Sequence, residues 1–345
     1  MTLSEVKIQP RLGQPEFIAM IAMLFATIAF SIDAMLPALP QIVRELTPDA
    51  PNAAQLILTS FVLGMGLGTF VAGPLSDSFG RKRMIVFGAA LYCAGAFAAY
   101  LAPTLETVLV ARLVQGLGAA GPRIVSLALV RDLYKGREMA RVVSFAMMIF
   151  TLVPAVAPLV GSGIIALAGW RSIFLAFMVF SIIPMVWMIL RQPETLAVAD
   201  RRALRAGPLW AALREVLSHR VVVTAIAVQT LIFGALFGTL SQVQQIFDVT
   251  FGRGASFPVW FALIALLAGS ASLINAALVV RLGMRFLISV TLISQIVLSL
   301  AAALLTTFGI LPEVLTFAVF ICWMISVFFM AGLTLGNLNA LALEP

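Results

Sequence analysis

The chain has 345 residues, of which 62% are hydrophobic and 11% are charged, and its formal net charge is +7. A water-soluble domain carries about 25% charged residues, so this composition excludes an ordinary soluble protein and indicates an all-α polytopic membrane protein. The positive net charge is therefore to be explained by membrane topology before a nucleic-acid partner is considered, and we expect no nucleic-acid partner.

Ten apolar stretches are each long enough to cross a hydrocarbon core of ~30 Å as a helix. We predict spans at residues 17–39, 53–72, 84–101, 108–130, 142–167, 172–190, 221–241, 257–280, 286–307 and 315–341. Cys93 and Cys322 both lie inside spans, which predicts neither a disulfide nor a metal site. The single histidine, His219, lies in a charged loop, which excludes a centre with several histidine ligands.

The cations are distributed unequally between the two predicted membrane faces. One face carries 17 of them, and the other carries three, Arg44, Arg171 and Arg253. The larger group comprises Lys7, Arg11, residues 81–83, four cations between 131 and 141, six arginines between 191 and 220, Arg281 and Arg285. Because Lys and Arg accumulate on the cytoplasmic side, this ratio predicts a cytoplasmic amino terminus and location in a cell (inner) membrane.

The one long interruption between spans divides the chain into three predicted parts. Residues 1–190 form a six-helix bundle, 191–220 a cytoplasmic linker, and 221–345 an incomplete bundle of four spans. Apolar residues in the linker recur at helical spacing, which favours an amphipathic helix on the inner membrane face, although a plain basic linker is an equal alternative. These apolar residues are Leu209, Trp210, Leu213, Val216 and Leu217.

The polar turn between spans 2 and 3 combines two glycines, an acid and three consecutive cations. It reads Gly73-Pro74-Leu75-Ser76-Asp77-Ser78-Phe79-Gly80-Arg81-Lys82-Arg83. This order resembles the signature loop of the major facilitator superfamily, whose pattern is Gly-x-Leu-x-Asp-x-x-Gly-Arg-Arg/Lys. Gly283 and Arg285 occupy the same place between spans 8 and 9, as a repeat of half a transporter requires. The resemblance implies a major facilitator fold with ten of the usual twelve helices, and we expect a chain that lacks its last two spans.

The resemblance also implies a conformational latch at this turn. Its expected members are Gly73, Asp77, Gly80, Arg81, Arg83 and Asp132. In the family, the residue corresponding to Asp77 caps the helix end of span 11, and Arg81 would pair with Asp132, which together hold the two halves closed in the outward-facing state. An anion at a helix amino terminus is favourable by up to ~1–2 kcal/mol. Without span 11, Asp77 is expected to lose its partner, whereas the Arg81–Asp132 pair can form within the first half.

Asp33 in span 1 and Arg112 in span 4 are charges inside hydrocarbon, where each costs at least a few kcal/mol. Both lie about four to six residues from the outer ends of their spans, so they can pair. A carboxylate at such a site can exchange a proton for a cationic substrate, and a purely structural ion pair is the alternative. Arg123 lies about three turns from Arg112 on the same helix face, which predicts a water-filled cavity beside span 4.

Three further segments indicate a particular branch of this superfamily. Arg112-x-x-Gln115-Gly116-x-Gly118 is similar to the span 4 motif of proton-coupled facilitators, and Leu36-Pro37-Ala38-Leu39-Pro40 ends span 1. Span 5 resembles the antiporter helix motif through Pro154, Pro158, Gly161 and Gly163, with Ala157 and Ser162 replacing two expected glycines. Together these segments look like the bicyclomycin-resistance (Bcr/CflA) branch of the drug:proton antiporters.

The predicted function is export of small amphipathic drug-like compounds in exchange for protons. A proton-coupled importer or metabolite exporter of the same fold, or an inactive truncated transporter, are the alternatives. We expect no enzymatic activity and no cofactor apart from the proton gradient, because the sequence shows no nucleophile–base pair, metal cluster or Walker A motif. The expected partners are a small-molecule substrate and membrane lipid, and the chain is expected to be monomeric. Polar groups in the second half, such as Asn337 and Asn339, are expected to face lipid.

Overall fold

The computed structural model describes residues 12–204, 206–309 and 311–343, so Lys7, Arg11 and Arg205 lie outside the described residues. The described part of the chain is helical and contains no strand. Its α-helices are α1 (Gln14–Asp33), α2 (Leu39–Leu46), α3 (Leu56–Phe79), α4 (Arg81–Leu101), α5 (Leu105–Leu133), α6 (Gly136–Ala168), α7 (Ser172–Arg191), α8 (Ala206–Ser218), α9 (Arg220–Gln245), α10 (Phe257–Leu282), α11 (Met284–Thr307) and α12 (Glu313–Leu343).

Within the described residues, ten stretches are long and apolar enough to cross a membrane, and each coincides with one of the ten predicted spans. The prediction of an all-α polytopic protein is therefore confirmed. The main difference is in span 1, which is not one uninterrupted helix. It consists of α1, a 3-10 turn at Leu36–Ala38 and α2. Pro37 has no N–H to donate to the carbonyl oxygen of Asp33, so α1 ends at Asp33.

The chain divides into two compact units, Met1–Leu204 and Arg205–Pro345. In the first unit, α5 packs closely against α3 and α4 because glycines lie at the contacts. A Cβ on Gly64 or Gly116 would overlap backbone atoms across the α3–α5 contact, and one on Gly118 would do so across the α4–α5 contact. This close approach is the role expected of small residues in an apolar helix, and it fixes the position of the polar side chains of α5.

Ionic contacts fasten the helices of the first unit at both ends. At one end, Glu16 of α1 accepts hydrogen bonds from Trp187 Nε1 at 3.0 Å and from Arg191 Nε at 3.1 Å. At the other end, Glu45 of α2 accepts from Trp170 Nε1 at 2.6 Å and pairs with Arg171. These contacts tie the two ends of span 1 to the two ends of α7.

The second unit contains α8 to α12. Asn275 of α10 and Asn337 of α12 exchange side-chain hydrogen bonds at 3.4 and 2.7 Å. Asn337 is 3% exposed, so the prediction that it faces lipid is wrong. Its side-chain amide is hydrogen-bonded to the side-chain amide of Asn275 on the neighbouring helix. Asn339 is exposed, and its contact with lipid stays a prediction. α8 provides a helix in the predicted linker, with exposed Trp210 and Leu217, while the side chain of Leu209 lies outside the described residues.

Candidate functional site

Arg112 is a fully buried guanidinium at the centre of the first unit, with 0% of its surface exposed. Its Nε donates to the carbonyl oxygen of Ile57 at 3.2 Å, and its Nη2 donates to that of Ser31 at 3.1 Å. Its Nη1 donates to Gln115 Oε1 at 2.7 Å, and its guanidinium carbon lies 4.3 Å from the centre of the Phe61 ring. Three acceptors and two aromatic rings, those of Phe61 and Phe177, therefore compensate the burial of this cation.

Asp33 is buried beside this cluster, with 5% of its surface exposed, and it is the last residue of α1. Among the described residues, no ion pair joins Asp33 to Arg112. The predicted pairing is therefore absent from this structure. The carbonyl oxygen of Ser31 is one of the last four of α1 and has no donor within the helix, so the guanidinium binds there. Asp33 is left as a buried carboxyl that the arginine does not neutralise.

Ser31 and Tyr92 belong to the same polar cluster and were missed by sequence reasoning. The Ser31 hydroxyl donates to the carbonyl oxygen of Thr27 at 2.6 Å, so the Tyr92 hydroxyl is the donor in its hydrogen bond to Ser31 Oγ. Both residues are buried, and Tyr92 comes from α4. The presence of a tyrosine within an apolar span could have indicated this polar cluster, because a buried hydroxyl requires a hydrogen-bond partner. The cluster thus joins α1, α3, α4 and α5.

The antiporter-like helix α6 touches this site through one glycine. A Cβ on Gly161 would overlap the carbonyl oxygen of Ala34, the residue that follows Asp33. Gly163 has open space at the corresponding position, so the two motif glycines differ in packing. Pro154 and Pro158 both lie inside α6, which continues through them. α6 is therefore held directly against the end of α1 at the buried carboxyl.

Arg123 lies two turns or more from the cluster along α5 and is exposed. Its Nη1 lies 3.9 Å from Met65 Sδ of α3. The four residues expected at the proton and substrate site, Asp33, Arg112, Gln115 and Arg123, therefore lie in two different environments. Asp33, Arg112 and Gln115 are buried, and Arg123 is a separate exposed cation.

At the turn between α3 and α4, Arg81 pairs with Asp77, and its Nε donates to Asp132 Oδ2 of α5 at 3.2 Å. The second contact is the one that the resemblance implied. Asp77 pairs with Arg81 here, a contact that the resemblance did not imply, and the expected loss of its partner in span 11 stays a prediction. Thr195 Oγ1 also donates to Asp132 Oδ2, at 2.8 Å. Gly80 has a φ of 106°, which suits glycine at the tight junction of the two helices.

Gly73 has open space around the position of a Cβ, and Arg83 is exposed. Arg83 makes no contact, within the described residues, with the Arg81 cluster, which we define as Arg81, Asp77, Asp132 and Thr195. The carbonyl oxygen of Gly73 supports the cluster indirectly, because it accepts at 2.8 Å from Ser76 Oγ, which accepts from Arg81 Nη1 at 2.7 Å. Glu194, which was not predicted, does contribute. Its Oε1 accepts from the backbone N–H of Arg81 at 2.9 Å, and its Oε2 accepts from that of Lys82 at 3.2 Å. Glu194 thereby caps the amino terminus of α4 from the segment that follows α7.

The part of the chain that the structure describes has no group of three or more His, Cys, Asp or Glu side chains able to hold a metal ion. The polar features of the first unit are instead a buried carboxyl, a buried arginine cluster and an ionic cluster at one membrane face. Such an arrangement can bind protons and charged solutes.

Comparison with known proteins finds relatives that are named as a transporter or as resistance proteins. The chain is 29% identical over 245 residues to the uncharacterized MFS-type transporter YdgK of Bacillus subtilis, covering 70% of this chain and 61% of that protein. It is 28% identical to the bicyclomycin resistance protein homolog of Haemophilus influenzae, covering 81% and 70%. It is 34% identical over 147 residues to a chloramphenicol resistance protein of Pseudomonas aeruginosa, covering 42% and 35%. The chain thus spans about three fifths of the length of YdgK.

Solved structures show the same fold. The partially occluded inward-open xylose transporter XylE from Escherichia coli superposes with a TM-score of 0.71 at 13% identity, covering 95% of this chain and 83% of that chain. A bacterial homolog of the human lysosomal transporter Spinster gives 0.67 at 18% identity, covering 95% and 74%. The family profile of the Major Facilitator Superfamily matches residues 19–344, almost the whole sequence. The chain therefore belongs to the Major Facilitator Superfamily.

Proposed function

We propose that this protein exports small, amphipathic, drug-like compounds in exchange for protons. Relatives named for bicyclomycin, chloramphenicol and multidrug resistance support export of such compounds. The proton gradient supplies the energy, so the proposal requires no cofactor and no enzymatic step. The protein acts in the inner membrane with its amino terminus in the cytoplasm, and the distribution of cations supports that orientation.

The observation that carries the proposal is the buried carboxyl of Asp33 at the broken end of α1. A carboxyl inside a membrane protein is costly when ionised and unpaired, so it binds a proton or a cation. A cationic substrate that enters beside Asp33 displaces the proton, and a returning proton displaces the substrate. This competition couples the two flows, because the carboxyl is occupied by one of them at a time.

Arg112 and Gln115 position the end of α1 around this carboxyl. Arg112 holds the carbonyl oxygen of Ser31, two residues from Asp33, and Gln115 holds Arg112. Arg123, further along α5, contributes a cation to the substrate cavity. Gly161 allows α6 to follow any shift of α1, because the two backbones touch at Ala34. These contacts support a coupling mechanism in which proton binding at Asp33 is transmitted to α5 and α6.

The Arg81 cluster forms the latch of the transport cycle. Arg81, at the start of α4, joins the end of α3 through Asp77 to the end of α5 through Asp132, and Thr195 adds the segment after α7. The clustering of these groups at one face supports control of access there. We further propose that the chain acts as a monomer organised as 1–190, 191–220 and 221–345, with membrane lipid as its surroundings.

Efflux of ethidium from cells tests the proposal. Cells that express the full chain should accumulate less ethidium than control cells, and a protonophore should remove the difference. Asp33→Asn should accumulate ethidium like control cells while inserting normally into the membrane. Asp49→Asn, a change at an exposed carboxylate in the loop after α2, is the matched control and should export normally. Lower accumulation that persists with the protonophore would contradict proton coupling, and higher accumulation than in control cells would indicate import.

A further inference from the structure

A groove of about 590 Å³ lies between α4 and α7 at the membrane face that carries the Arg81 cluster. Its lining changes in character from one end to the other. Apolar side chains form its inner part, namely Val86, Phe87, Ala90 and Ile189. Charged side chains form its rim, namely Lys82, Arg83, Glu194 and Arg201.

The charges at the rim are not balanced. Three cations face one carboxylate, and both oxygens of that carboxylate already accept backbone N–H groups of Arg81 and Lys82. The Nε of Arg201 is buried without a hydrogen-bond partner among the described residues. Lys82 Nζ donates to the carbonyl oxygen of Ile189 at 2.7 Å, which leaves two of its three protons available. The rim therefore has donors and net positive charge for an anion.

The length of the groove along α4 also matches a lipid headgroup and the first part of an acyl chain. α4 begins at Arg81, and the nine residues to Ala90 correspond to ~14 Å along a helix axis. Phe87 is 60% exposed, so the apolar part of the groove is open on its outer side. A soluble anion would use the rim alone, whereas a molecule with a charged head and an apolar tail matches both parts.

We propose that this groove binds one anionic phospholipid of the leaflet that contacts this face. The phosphate lies among Lys82, Arg83 and Arg201, and an acyl chain lies along Phe87 and Ile189. Bound there, the lipid bridges α4 to the segment that follows α7, close to the Arg81 cluster. The proposal concerns lipid binding alone and does not depend on transport activity.

Lipid retention by the purified full chain tests the proposal. Native mass spectrometry in detergent would count lipids bound after addition of phosphatidylglycerol or, separately, phosphatidylcholine with the same acyl chains. We expect phosphatidylglycerol to be retained with an affinity about tenfold higher than phosphatidylcholine. The double variant Arg83→Gln/Arg201→Gln should lose about 25-fold in affinity for phosphatidylglycerol, since each of the two cations near an anionic lipid contributes roughly a fivefold effect.

Two controls keep the result interpretable. Arg137→Gln removes an exposed cation elsewhere and should leave phosphatidylglycerol binding unchanged. Arg83→Lys/Arg201→Lys keeps the charge and should restore most of the binding, which a merely misfolded groove would not do. Glycerol phosphate at the same concentration should not displace the lipid. Equal retention of the two lipids, an unchanged double variant, or full displacement by glycerol phosphate would overturn the proposal.

Discussion

The backbone of Gly161 lies against the backbone of Ala34, so that α6 meets α1 immediately after the buried carboxyl of Asp33. No side chain separates the two helices at this point. We therefore expect a movement at the end of α1 to be transmitted to α6 by backbone contact. This contact links the antiporter-like motif of α6 to the residue that we propose carries the proton.

Gly161→Ala should therefore destabilise the protein and lower efflux. Its Cβ would overlap the Ala34 carbonyl oxygen, and overpacking of this kind costs about 1–3 kcal/mol. Gly163→Ala is the matched control, because open space surrounds that position and replacing a helical glycine by alanine gains up to ~1 kcal/mol. Thermal unfolding of the purified proteins in detergent measures the difference. Equal midpoints for the two variants would show that the close contact has no energetic role.

The sequence was sufficient to predict the ten spans, because apolar length alone identifies a helix that crosses hydrocarbon. The Arg81–Asp132 contact could be expected only through the family resemblance. The pairing of Asp33 with Arg112 was expected because both lie at a similar depth in their predicted spans. That expectation did not consider that backbone carbonyl oxygens can also accept hydrogen bonds from an arginine. Carbonyl oxygens of Ser31 and Ile57 bind the guanidinium, and a sequence does not show which carbonyl groups lack a donor.

Contacts made by segments without periodicity were also missing from the sequence prediction. Glu194 follows the end of α7 in a stretch with no helical pattern, yet its carboxylate reaches the start of α4. Tyr92 was visible only as one polar group in an apolar span. Its partner, Ser31, depends on how α1 and α4 are placed around α5. Such placements follow from the glycine contacts of α5, and the sequence shows these glycines but not the helices that they contact.

Arg112→Ala should be strongly destabilising for a reason other than a broken ion pair. It leaves the carbonyl oxygens of Ile57 and Ser31 and the side chain of Gln115 without their donor, at a total cost on the order of 3–5 kcal/mol. Arg123→Ala, on the same helix but exposed, should change stability by less than ~1 kcal/mol. Expression level and the thermal midpoint distinguish the two. A wild-type midpoint in Arg112→Ala would contradict the role assigned to these contacts.

Glu194→Ala should loosen the start of α4. Losing a cap that accepts from two backbone N–H groups costs about 1–2 kcal/mol, so the amides of Arg81 and Lys82 should exchange with solvent roughly tenfold faster. Hydrogen exchange followed by mass spectrometry of peptides from this region measures the change. Glu215→Ala, at an exposed glutamate of α8, should leave the exchange as in wild type. Unaltered exchange in Glu194→Ala would argue against the cap.

Accessibility of single cysteines tests the proposed orientation. In a background without Cys93 and Cys322, a cysteine at Asp49 or Asp248 should react with an impermeant thiol reagent added to intact cells. A cysteine at Arg137 or Arg205 should react only after the membrane is opened, because the cation-rich face is expected in the cytoplasm. The reverse labelling pattern would overturn the orientation.

The most direct test of the central claim, proton exchange at Asp33, uses purified protein in liposomes that contain a pH-sensitive dye. Addition of ethidium in the absence of any imposed gradient should drive protons in the opposite direction through the wild-type protein. Asp49→Asn should behave like wild type, and Asp33→Asn should move no protons while still being folded by its thermal midpoint. Ethidium-driven proton movement of wild-type size in Asp33→Asn would contradict the account.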